Sequence, residues 1–311
     1  MSTASPISSD RPVPLAGYGL AVCGAILFAS KAVAVKLAYA AGADAELLLA
    51  LRMGLSLPVY LAIGLFAVQR QRGNGVALPR LGLVTKAALV GLLGYWFSSY
   101  TDFLGLQYIS AAFERLILFT YPLFVVLFGA LFFGLPIKRR ALVAFLLSYG
   151  GLAIIFAQNF SAGGADVARG AGWVLLAAIA FALYQLIAKG LIGKIGASLF
   201  TCIAMTAASI AALAQFIALR PLSSLMVSSH LFAIAVFLAI FATVVPTFLM
   251  NAALQRISAQ ANATIGTVSP VATMLLGFFF LGEAVTPMEF AGGILVMASI
   301  GWFTLADARR R

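Results

Sequence analysis

Charge is what this sequence lacks. Asp, Glu, Lys and Arg make up 9% of its 311 residues, against 63% that are hydrophobic. A water-soluble globule of this length needs more polar surface than that. With a mean hydropathy of +1.07, the chain reads as a resident of a bilayer. Histidine occurs once, as His230 at a loop edge, which leaves no buried Ser/His or Cys/His pair. The few embedded acids lie beside bases and form no catalytic dyad, so the sequence disfavours an intramembrane hydrolase. The two cysteines, Cys23 and Cys202, each sit inside an apolar run. They have neither metal spacing nor a disulfide framework and read as small packing residues. No residue pattern calls for a metal or any other cofactor.

What is present is a succession of apolar stretches long enough to cross about 30 Å of hydrocarbon at about 1.5 Å per residue. They run near 15–38, 45–68, 82–104, 111–134, 140–158, 171–190, 198–219, 229–252, 262–282 and 288–306, which predicts ten transmembrane helices. The breaks carry turn chemistry: Ala41 to Asp44, the loop from Gln69 to Pro79, Leu135-Pro136, Ser161 to Asp166, Arg220-Pro221 and Thr286-Pro287.

The formal net charge of +11 suits nucleic acid less well than it suits the positive-inside rule. Arg11, the group Arg70, Arg72, Arg80 and Lys86, the group Lys138 to Arg140, Lys189 with Lys194, Arg256, and Arg309 to Arg311 all fall on one side. Arg115, Arg169 and Arg220 fall on the other, with Asp44, Glu46, Asp166, Glu283 and Glu289. That asymmetry places both termini in the cytoplasm. The polar start before residue 15 leads into a long apolar segment without a clear cleavage site, and reads as a tail before a retained helix.

The chain also contains itself twice. The stretch from Leu106 to Gly134 recurs 148 residues later, from Leu254 to Gly282. Leu106, Gln107, Ile109, Ser110, Ala111, Pro122 and Gly134 meet identical residues at Leu254, Gln255, Ile257, Ser258, Ala259, Pro270 and Gly282. Upstream, Phe28, Ala29 and Lys36 match Phe181, Ala182 and Lys189 at an offset of 153. The expected organisation is a tail (1–14), a first five-helix repeat (15–160), a second (161–308) and a basic end (309–311). Five crossings reverse the chain's direction, so the repeats are expected to be inverted, an arrangement that supports alternating access around a midplane site.

These motifs resemble those of the drug/metabolite transporter superfamily, of the EamA type with ten helices, over essentially the whole chain. The resemblance implies export of small metabolites, amino acids (aromatic ones included) among them, across the cytoplasmic (inner) membrane. A multidrug or other-metabolite permease working as a proton antiporter is the alternative, and a passive pore a more distant one. The superfamily's four-helix members carry a coupling glutamate in their first helix, whereas this first segment reads GAILFASKAVAVKL, with Lys31 and no carboxylate. Facilitated export is therefore at least as good an expectation as proton coupling.

Ionisable groups inside hydrocarbon are functional candidates because each costs several kcal/mol unless paired or wetted. Arg52, Asp102, Glu114 and Arg115 are expected to form an outer gate, the two acids pairing with Arg52, Arg115 or Lys31. In the second repeat the positions of Lys31, Arg52, Asp102, Glu114 and Arg115 hold Tyr184, Met205, Met250, Asn262 and Ala263, so the opposite gate should be apolar and amide-lined. Helical spacing puts Trp96, Ser99, Tyr100 and Phe103 on one stripe, and Glu114, Leu118 and Tyr121 on another. Together with Lys31, Tyr184, Gln185, Asn251 and Asn262 they form the expected substrate route, with an aromatic wall and polar groups for a ligand's head. Pro122 and Pro270, at equivalent places in the repeats, are candidate hinges. The partners implied are a small-molecule substrate and membrane lipid.

Overall fold

A computed structural model of the chain describes residues 15–75, 77–134, 139–254 and 268–308. Among these the regular structure is entirely helical: α1 (Leu15–Ala40), α2 (Ala45–Gly73), α3 (Leu81–Gly91), α4 (Ser98–Leu106), α5 (Ala111–Leu118), α6 (Tyr121–Phe133), α7 (Arg139–Ile195), α8 (Ala197–Leu219), α9 (Ser229–Ala239), α10 (Val245–Leu254), α11 (Val268–Leu281) and α12 (Pro287–Ala308). Short π-helical turns, Leu92–Phe97 and Ile240–Val244, join α3 to α4 and α9 to α10. Among the described residues eight helical spans are long and apolar enough to cross a membrane, and Ser269–Leu281 and Pro287–Ser299 are shorter apolar helices.

The expected break between the fifth and sixth segments is a fold within α7. Gly164 takes φ +57° and ψ −133°, a conformation that glycine adopts without the Cβ penalty. It divides α7 into two arms, and the second starts earlier than the apolar pattern implied because Asp166 and Arg169, 3.6 Å apart, are themselves helical. The repeat is legible in local geometry. The two π-helical turns lie 148 residues apart, as do Gly134 and Gly282, which follow α6 and α11 with φ of +62° and +66°. In the second turn the Thr243 hydroxyl donates to the Leu238 carbonyl, five residues back, at 2.8 Å. An α-helix would leave no such acceptor for it.

Packing follows the same duplication. α1 lies on α10 and α11, while the second arm of α7 lies on α4 and α6. α2 packs on α8, α3 on α8, and α2 in turn on α9. The first arm of α7 crosses α12, where Gly151 and Gly292 bring backbone to backbone and Ser148 and Ser299 share a buried hydrogen bond of 2.6 Å. Lipid offers apolar helices no hydrophobic reason to associate, so close approach at small residues and buried polar contacts must hold the bundle. The largest core joins Leu48, Leu49, Met53 and Tyr60 of α2 to Cys202, Met205, Ala208 and Ala212 of α8. Cys202 is thus the packing residue the sequence suggested. Cys23 is not: it is exposed beside Val22 and Ile26, on the outward face of α1.

Candidate functional site

Five ionisable side chains gather where α1, α2, α4 and α5 meet. Lys31 Nζ lies 2.6 Å from Asp102 Oδ2. Glu114 is fully buried, with one oxygen 3.8 Å from Arg115 Nε. Arg115 also donates to the Phe28 carbonyl at 3.1 Å, which ties α5 to α1. Lys36, one turn beyond, spends its ammonium on the Leu106 carbonyl at 3.2 Å. Two of the expected pairings are therefore present. The third is corrected: Arg52 makes no ion pair with a carboxylate among the described residues. Its guanidinium, 4% exposed, donates to Ser99 Oγ at 2.9 Å and lies over the Phe103 ring at 5.0 Å. Asp102 is already held by Lys31, which leaves α4 to offer Arg52 a hydroxyl and an aromatic face.

The expected stripe starts on the π-helical turn with Trp96 and continues on α4 with Ser99, Tyr100 and Phe103. Ser99 and Phe103 meet Arg52, Tyr100 donates to Glu46 Oε1 at 3.0 Å, and Trp96 Nε1 donates to Gln215 Oε1 at 2.6 Å. Glu46 and Asp44 also accept from Arg220 Nη2, at 2.9 and 2.6 Å. The hydrogen bond to Glu46 and the charge of Asp44 hold this exposed guanidinium above its ordinary range. A polar chain thus ties the acid-bearing ends of α2 and α4 to the end of α8.

The Glu114–Leu118–Tyr121 stripe does not survive as one face. α5 ends at Leu118, and Phe119 and Thr120 form a turn before α6 starts at Tyr121. The cause is Pro122 in the first turn of α6: it has no N–H to donate to the Leu118 carbonyl four residues back, so α5 does not run on into α6. Glu114 stays beside Arg115 in the buried group, while Tyr121 packs edge-on against Phe181 at 5.0 Å. Phe181 stacks on Tyr184, whose hydroxyl donates to that of Tyr95 at 2.8 Å. Gln185 is half-buried on α7, next to this cluster in sequence. The expected route residues therefore fall into two groups, one around Arg52 and one around Tyr184.

Pro270 lies in the first described turn of α11. Asn251 belongs to α10, and Asn262 lies outside the described residues. Sequence reasoning missed Tyr95 and Gln215. Gln215 is an amide isolated in an apolar helix, and that isolation was the available signal. Tyr95 lies on the π-helical turn, whose extra residue puts it out of register with any α-helical stripe.

A model of the EamA-like transporter family matches the chain twice, over residues 15–157 and 168–305. The matches begin 153 residues apart and end 148 apart, the two offsets that the internal motifs give. The chain is 30% identical over 294 residues to the uncharacterized transporter YcbK of Bacillus subtilis (strain 168), covering 89% of each protein. It is also 30% identical over 238 residues to a probable terminal-alkyne amino-acid exporter of Streptantibioticus cattleyicolor, covering 73% of this chain and 75% of that one. A solved crystal structure shares the fold at 16% identity, with a TM-score of 0.64 over 94% of this chain and 98% of the other. With its two matched repeats and many apolar spans, the chain is a multi-pass membrane protein of a family of transporters, not of enzymes: it belongs to the EamA-like transporter family.

Proposed function

We propose that this protein exports amino acids and related small metabolites across the cytoplasmic membrane by alternating access. In this reading the bundle is ten helices in two inverted five-helix repeats, with both termini in the cytoplasm. The observation that carries it is the group of buried Arg52, Asp102, Glu114 and Arg115 with the partly buried Lys31, in a chain otherwise nearly free of intramembrane charge. Such groups are costly to keep in hydrocarbon and mark solute or ion pathways. The exchange of packing partners between the halves supports two related conformations, and the printed name of one relative supports amino acids as the cargo.

Arg52, Asp102, Glu114 and Arg115 act as the gate on the side that bears Asp44, Glu46 and Arg220. Trp96, Ser99, Tyr100, Tyr121, Tyr184 and Gln185, with Lys31, Asn251 and Asn262, line the route, and Pro122 and Pro270 serve as hinges. Tyr100 and Trp96 are tied to Glu46 and Gln215, which fits a state closed on that side. Uptake of a panel of labelled amino acids into liposomes, with and without an imposed proton gradient, tests the function. Saturable movement supports it, and its independence of the gradient identifies a facilitator. Gradient dependence assigns coupling to Asp102 and Glu114. Absence of any amino-acid movement defeats the reading.

A further inference from the structure

The charges of the buried group do not balance. Lys31, Arg52 and Arg115 bring three cations, and Asp102 and Glu114 bring two carboxyls. The chain has only nine acids, which allows a full accounting. Asp44 and Glu46 hold Arg220, Asp102 holds Lys31, Glu114 is beside Arg115, and Asp166 holds Arg169. Glu283 accepts from the Ala111 amide at the start of α5, and Glu289 from Thr286 at the start of α12. The other two, Asp10 and Asp307, are near the chain ends, and the stretch 255–267 contains no acid at all. Among the described residues no carboxylate forms an ion pair with Arg52.

Arg52 is also built as a receptor. Its Nε is buried with no hydrogen-bond acceptor among the described residues, while Nη2 donates to Ser99 and the guanidinium lies over the Phe103 ring. An unpaired buried cation is expensive to maintain. The equivalent position of the second repeat avoids that cost with Met205, which is buried in the same α2–α8 core. A planar guanidinium with a buried Nε left without an acceptor matches a carboxylate better than any other common ligand group.

We infer that Arg52 is the anchor for the substrate's carboxylate, so that the cargo is a solute bearing a free carboxylate and not an organic cation. The inference rests on the transport reading above and makes Arg52 a ligand-binding residue within the gate group. The carboxylate supplies the missing negative charge, and the substrate's own charge then completes the closed arrangement.

The test measures binding of three probes of similar shape to the purified protein: phenylalanine, 3-phenylpropionate and 2-phenylethylamine. Both carboxylates should bind, the amine should not, and R52M should weaken the carboxylates by about ten- to a hundredfold, the worth of hydrogen bonds to a charged group. R52M copies the residue of the second repeat. With the uncompensated charge gone, its unfolding temperature without ligand should equal or exceed that of the wild type, an outcome a merely structural Arg52 would reverse. Binding of 3-phenylpropionate without phenylalanine would sustain the carboxylate anchor while removing the amino-acid reading. Equal binding of phenylalanine and 2-phenylethylamine would overturn the anchor and leave the amino-acid reading in place. Binding of the amine alone, or of none of the three, would overturn the inference.

Discussion

Lys31 and Asp102, 71 residues apart in sequence, meet at 2.6 Å between α1 and α4, with side chains 13% and 2% exposed. Removing one partner strands the other charge in a low-dielectric interior. D102N or K31M alone should therefore destabilise the protein by about 3–5 kcal/mol. The double variant should lose less than the two single losses added, with a coupling of about 1–3 kcal/mol. Thermal unfolding in detergent of the four proteins gives that coupling. Strict additivity would show that the pair is not a unit.

The contact of Arg220 with Asp44 and Glu46 is of another kind, because all three side chains are partly exposed. Pairs of this sort contribute about 0–1 kcal/mol and are screened by salt. R220Q, or high salt with the wild-type side chain, should shift the population and leave the fold intact. A cysteine at Ser99, in a background lacking Cys23 and Cys202, should react faster with a membrane-impermeant maleimide in R220Q, with no change in unfolding temperature. Unchanged labelling would deny the latch a role in closure.

Close helix approach gives a steric prediction. A Cβ at Gly94 would fall within the Tyr184 side chain, and one at Gly91 would meet the Ala204 backbone at 2.5 Å. G91A and G94A should each destabilise the protein by about 1–3 kcal/mol, as overpacking does. G172A, where nothing lies within 4 Å, should be neutral. Unfolding temperatures of the three variants decide it.

The π-helical turn Leu92–Phe97 inserts an extra residue before Ser99 and Phe103. Deleting Leu93 would restore α-helical register and rotate α3, which packs on α8, by about 100° relative to α4 and its Ser99 and Phe103. Transport should fall below detection while membrane insertion persists, as measured by uptake and by membrane-fraction yield. Full activity of the deletion would mean that the turn does not set the site.

Much of this was readable in the chain. The spans, the repeat and the family signature rest on composition and motif identity, which survive without knowledge of packing. The unusual charges were visible because Lys31, Asp102 and Glu114 stand in hydrocarbon-length runs. Their pairing was only partly legible, since Arg52 and Asp102 lie on different helices and a third cation was nearer the acid. The Glu114–Tyr121 stripe failed because Pro122 has no N–H to continue the helical ladder, which outweighed the apolar periodicity across Phe119 and Thr120. Tyr95 escaped because a π-helical turn leaves no periodic signature, and Gly164 because a glycine among several polar and small residues does not announce which one folds the helix.

Counterflow is the most direct measurement of the account's central claim. Liposomes containing the purified protein are loaded with an unlabelled amino acid and diluted into the same labelled amino acid, so that no net gradient drives the label. An alternating-access exporter predicts transient, saturable accumulation of label above its external concentration, accelerated by the internal amino acid and lost in D102N. Entry that rises linearly with concentration, unaffected by what the liposome contains, would contradict the account and identify a pore.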